Sequence, residues 1–266
     1  MSNPSEAHVF GNLVRLADRR ALLAAGHTEW TLFGPSDVSV LSTHTDFFDP
    51  ATGAWKQGPP LPVIAGEDDQ IAGSHGGRAN GACVAALPND TVVIAGGNTA
   101  TDGQSYFGTA LSRQSILVLT PARNPQDSHF RLAPRGIPSG QQFGGLFGGP
   151  GRNHLPCYVL SGGRVLFAGG QSNLGEDLFD TYLFDPSTSV LRRGPDMLHG
   201  TATWAAQHPE YGYPPDYVTS LISTREVSMH SSLLVFHGDT LVHGGAFNGV
   251  DYDQIGVPFV EQVALR

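Results

Sequence analysis

The chain has 266 residues, a formal net charge of −9, 40% hydrophobic and 15% charged residues, 34 glycines and 19 prolines. That apolar content supports a sizeable core and excludes a disordered chain, while the lack of a basic footprint excludes a nucleic-acid binder. No run approaches the ~18 apolar residues of a membrane span. Residues 1–8 lack a basic segment followed by an apolar run, so no signal peptide is read and the cytoplasm is the expected location.

In chain order, one phrase recurs four times: an apolar strand, a tight polar turn, and a second apolar strand closed by two small residues. It spans Leu13–Gly26, Cys83–Gly97, Cys157–Gly170 and Leu233–Gly245. The final glycines are 71, 73 and 75 residues apart (97−26, 170−97, 245−170). Such a period predicts stacked units sharing one core, hence a single domain over 1–266. After each closing pair an irregular polar segment leads to a third strand, a turn and a fourth strand. Unit one has Asp49-Pro50-Ala51-Thr52-Gly53-Ala54-Trp55 and then Gly58-Pro59-Pro60-Leu61-Pro62; unit three has Asp185-Pro186 through Leu191 and then Gly194-Pro195. Proline presets φ and glycine tolerates positive φ in such turns. Unit four is short, with one strand expected over Pro258–Leu265, completed by residues 1–8 or left without an outer strand.

The order of strand, turn, strand, Gly-Gly, strand, Asp-Pro-x-Thr-x-Trp and Gly-Pro resembles the kelch repeat over nearly the whole chain. The resemblance implies an all-β kelch-like β-propeller of four blades, mostly of four antiparallel strands, with the last blade abbreviated and the first strand of each blade innermost. A larger ring built from two chains is the competing architecture, and a homodimer is compatible with it. In an up-and-down sheet the link between strands two and three and the link to the next unit emerge on one side. The long segments 27–45, 98–114, 171–180 and 246–257, with 63–81, 137–155 and 197–230, all belong to these two classes. The functional site is therefore expected on that rim.

Arg78, Arg152 and Arg225 precede the inner strands at similar steps and are expected to bring guanidiniums to the channel mouth, where they would fix a carboxylate, enolate or phosphate. The alternative is an inter-blade hydrogen-bonding role. His75, His154 and His230 also precede inner strands, His27 follows the first closing pair, and His243 stands just before the last one. They are candidates for acid–base chemistry. Asn98 and Gln171 follow their pairs as His27 does, and Trp204 and Tyr106 lie in long connections as candidate walls of a pocket. These histidines with Asp68 or Asp69 could also ligate Fe or Zn, but no HxH or HxxxH pair supports this and no cofactor is expected. Copper-radical chemistry of the galactose-oxidase kind is not indicated, because it needs a tyrosine crosslinked to a cysteine. Cys83 and Cys157 lie in strand interiors and are expected as buried thiols, with a disulfide as the alternative. The function expected is a small-molecule isomerase, cyclase or lyase; the alternative is a kelch-type module binding a protein or glycan.

Overall fold

The computed structural model describes residues 2–9, 11–30, 39–68, 75–78, 81–99, 112–138, 151–160, 162–170, 178 and 180–194, and the backbone of 232–236, 240–248 and 254–264. Among the described residues all regular structure is β except a 3-10 turn at Pro125–Asp127. The first sheet has β1 (Asn12–Arg15), β2 (Ala21–Ala24), β5 (His44–Asp49) and β6 (Ala54–Pro60) side by side. The second has β7 (Cys83–Ala86), β8 (Val92–Ala95), β9 (Ile116–Thr120) and β10 (His129–Leu132), and the third β11 (Cys157–Val159), β12 (Val165–Ala168), β13 (Thr181–Asp185) and β14 (Val190–Arg193). The fourth has β15 (Ser232–Phe236), β16 (Thr240–Asn248) and β17 (Gln254–Ala264). Each is an antiparallel meander in chain order, as the repeated phrase predicts.

Period-two alternation decides what each sheet touches. On β8, Val92 and Ile94 join Leu22 and Phe47 of the first sheet, whereas Val93 and Ala95 join Phe167 and Phe184 of the third. On β9, Leu117 and Leu119 face the first sheet, and Ile116 and Val118 the third. The second sheet is thus buried on both faces, which explains its near-continuous apolar strands. First strands lie in sequence, β1 against β7, β7 against β11 and β11 against β15. Phe48 packs against its cross-strand partner Trp55 with ring centres 5.1 Å apart and planes tilted by 45°, and Leu191 takes the tryptophan's place opposite Phe184 in the third sheet.

Four expectations are corrected. The segment after the first closing pair is not irregular throughout, since β3 (His27–Trp30) and β4 (Ser39–Leu41) form a two-stranded ribbon, with Val9 bridged to His27. Residues 2–9 do not complete unit four; they lie over unit one, where Glu6 Oε1 accepts the N–H groups of Thr43 and His44 and Ser2 Oγ accepts that of Trp55. In unit four the second strand continues through Gly244-Gly245 with a register shift between His243 and Gly245, and the last strand begins at Gln254. Finally, Cys83 and Cys157 are not free thiols but form a disulfide across 74 residues, joining the first strands of the second and third sheets. Among the described residues no helix is long and apolar enough to cross a membrane.

Candidate functional site

The closing pairs organise one rim. Their residues are left-handed in the first three units: Ala25 and Gly26 at φ 63° and 92°, Gly96 and Gly97 at 66° and 82°, Gly169 and Gly170 at 66° and 94°. A Cβ on Gly26 would stand 2.6 Å from the Val9 carbonyl oxygen, which explains why the second residue is glycine. The first residue offers its carbonyl to a buried nitrogen donor of its own unit. Arg78 Nη1 donates to Gly96 O at 2.9 Å, Arg152 Nη1 to Gly169 O at 2.9 Å, and His8 Nδ1 to Ala25 O at 2.8 Å. The second residue donates to the next unit, Gly26 N to Arg78 O at 2.7 Å and Gly97 N to Arg152 O at 2.8 Å. His8, whose Nε2 faces Asp46 Oδ2 at 3.1 Å, occupies in unit one the place that arginine holds in the others.

This places two predicted residues beneath the rim rather than on it. Arg78 and Arg152 are 0% and 1% exposed. Arg78 Nη2 donates to Ser115 Oγ, Arg152 Nη2 to Asp180 Oδ2 at 2.7 Å and Arg152 Nε to Pro138 O at 2.7 Å. Their guanidiniums are thus bonded within their own units, while their backbone carbonyls accept the N–H of Gly26 and Gly97 from the preceding unit.

A second buried cluster braces the same rim. Glu67 Oε1 accepts the N–H groups of Gln114 and Ser115 at 3.0 and 2.8 Å, and Asp68 accepts those of Ile64 and Gly76 at 2.6 and 2.8 Å. Arg113, fully buried, donates to Glu67 Oε2 at 3.3 Å and to Asp68 Oδ1 at 2.5 Å. Burial, then the charge of Arg113, pushes the Arg78 guanidinium down to about 9. Burial alone would raise the Asp68 carboxyl, but the bonds from Arg113 and from the Ile64 and Gly76 N–H groups outweigh it and lower it. Asp46 is lowered likewise, burial being outweighed by His8 and Ser5. A carboxyl lowered in the folded state stabilises above the unfolded value of ~4 and loses that contribution as pH falls through the folded value. The Tm is therefore expected to be level between about pH 5 and pH 8 and to fall below about pH 4, with a shallower fall in Asp46→Asn. A Tm unchanged across this range in differential scanning calorimetry would contradict it.

Above these braces the two classes of long connection meet. Ser112 Oγ donates to Asn98 Oδ1 at 3.2 Å, and Asn153 Nδ2 donates to Ser112 Oγ at 3.1 Å. All three are buried, and Asn153 Oδ1 has no hydrogen-bond partner among the described residues. His154 follows at φ 44°, half-buried. Asn98 is thereby joined through Ser112 to Asn153, while the His154 ring lies beside Gly81. His27 is buried in β3, and His75 is exposed in a turn. His243 is described by its backbone in β16 alone, and Arg225, His230, Gln171, Trp204, Tyr106 and Asp69 lie outside the described residues. Among the described residues no three His, Cys, Asp or Glu side chains are grouped to hold a metal ion. Ser112, Asn153, Arg113 and His8 were not singled out from the sequence. Asn153 stands between two residues that were, and His8 keeps the step of Arg152 before its closing pair.

No protein-family model matches the chain, and no curated protein matches it. Among solved structures it is similar to a fungal alcohol oxidase with catalytic diversity among the AA5 family, in complex with copper, at 13% identity and a TM-score of 0.43. The match covers 97% of this chain and 54% of that one, so the chain spans about half the length of that relative. No activity follows from a likeness of that degree.

Proposed function

We propose that the four sheets are blades of a kelch-type propeller, and that the protein binds and converts a small, donor-rich molecule at the rim where its long connections converge. The sequential packing of first strands supports the propeller. The observation that carries the site is the unpartnered Oδ1 of buried Asn153, at the end of the Asn98–Ser112–Asn153 chain. A buried acceptor left unpaired costs about 1–3 kcal/mol, which a hydroxyl or amino group of a ligand would recover. His154 beside it moves the proton, and the reaction class is isomerisation, cyclisation or elimination, which needs proton transfer without a bound redox group. Arg78 and Arg152 hold the rim in shape for this chemistry. The Cys83–Cys157 bridge supports an oxidising compartment as the place of action, in place of the cytoplasm.

The test is to incubate the purified chain with a small-molecule extract and follow the mixture by untargeted mass spectrometry with chromatographic separation. One compound is expected to convert to an isomer or elimination product. His154→Ala should slow conversion by about 10²-fold or more, and Asn153→Ala should weaken binding with the Tm retained. Conversion undiminished in both variants would overturn the assignment. Retention of a compound without conversion would favour the binding-module reading instead.

A further inference from the structure

We infer that the opposite rim carries a second ligand site, a cleft between the second and third sheets that takes a small zwitterionic carboxylate such as an aliphatic α-amino acid. This inference is independent of the function proposed for the long-connection rim. Three hairpin turns share one construction: Leu16 N donates to Arg20 O and Arg19 N to Leu16 O, with Leu87, Thr91 and Asp90, and then Leu160, Arg164 and Gly163, in the same places. The third turn residue is left-handed each time, at φ 77° for Arg19, 67° for Asp90 and 76° for Gly163. At the seam between the first two sheets the Asp90 carboxylate crosses over and accepts the N–H groups of Ala17 and, at 3.3 Å, Asp18. At the next seam the residue in Asp90's place is Gly163, and among the described residues no carboxylate crosses.

The space is left open. A Cβ on Gly163 would meet only Leu87 Cδ2 at 3.8 Å, and one on Gly162 would meet nothing within 4 Å. The result is a cavity of about 460 Å³ floored by buried Leu87 and Val118. The Asn89 N–H, counterpart of the Asp18 N–H, donates to no backbone carbonyl among the described residues. Pro88 has no N–H, so a carboxylate here receives one backbone donor rather than two, and the Arg131 guanidinium on the wall supplies the opposite charge. Arg131 is held toward the third sheet by donating Nη2 to Pro186 O at 2.7 Å and Nη1 to Ser189 Oγ. Asp185, also on the wall, is anchored by the Ser187 N–H at 2.9 Å and presents a negative charge for an ammonium group. Repeat symmetry thus names the missing group, a carboxylate, and the apolar floor suits an aliphatic side chain.

Saturation-transfer NMR with L-valine, isovalerate and isobutylamine on the full chain tests this. L-Valine is expected to bind best, isovalerate more weakly, and isobutylamine, which lacks the carboxylate, not at all. Gly163→Asp should abolish binding by restoring the internal carboxylate at a backbone conformation that Asp90 already adopts. Arg131→Gln should weaken binding by about tenfold, a check independent of the Gly163 variant. Asn153→Ala should leave it unchanged, which separates this site from the other rim. No transfer to L-valine, equal transfer to isobutylamine, or undiminished binding in folded Gly163→Asp would each overturn the inference.

Discussion

Reduction of the Cys83–Cys157 bridge, or the double replacement Cys83→Ala with Cys157→Ala, is expected to lower stability by about 4 kcal/mol. The bridge closes a loop across 74 residues, and a cross-link of that span removes about this much free energy from the unfolded ensemble in the chain-entropy account. Alanine is the right replacement because Cys83 is 2% exposed and a serine hydroxyl there would be buried. The bridge also joins β7 to β11 just past the connection that carries Asn153, so its loss should loosen that rim first. Urea unfolding with and without a reductant reads the effect as a lower midpoint with a steeper slope, because the reduced chain unfolds to a less compact ensemble. Coincident midpoints would mean that packing alone carries the seam. Thiol titration of the native chain should find no free thiol, since both cysteines of the sequence are in the bridge.

Arg113→Met is expected to cost about 3–5 kcal/mol, the usual loss when one partner of a buried ion pair is removed. The Tm should fall on the order of 10 °C for a chain of this size. Without Arg113, Glu67 and Asp68 keep their backbone donors but face Arg78 as the remaining cation, and two buried carboxylates are left with one guanidinium. Part of the loss is offset because Arg113 no longer repels Arg78, whose guanidinium its charge helps to depress. The double variant Asp68→Asn with Arg113→Met restores one charge of each sign and should lose less than the two single variants added together. Strict additivity in thermal unfolding would show that the cluster is not a coupled unit.

The strands and turns were legible because they follow from local rules. Period-two apolar runs, Asp-Pro turns and small closing pairs each act within a few residues of themselves. Asp49 and Asp185 accept the N–H two residues on, and the first three closing pairs have the left-handed backbone that favours glycine. The site was legible only in part. At the proposed site the hydrogen bond between Asn153 and Ser112 joins one residue from each class of long connection. The roles of the arginines were not legible, because an arginine before an inner strand reads alike whether it faces solvent or a neighbouring carbonyl.

His8 shows the same gap from the other side. Nothing in residues 1–9 announces a repeat, yet its ring meets Ala25 O and Asp46 as Arg152 meets Gly169 O and Asp180. The linear order of residues by itself determined the all-β class, the four-fold repetition and the places where the backbone must turn left-handed, since these depend on side-chain period and φ alone. Tertiary structure decided the pairing of the two cysteines, the burial of Arg78 and Arg152, and the cleft beside Gly163. Each of those depends on which surface of one unit meets the next, a relation between residues some 70 positions apart that no local pattern encodes.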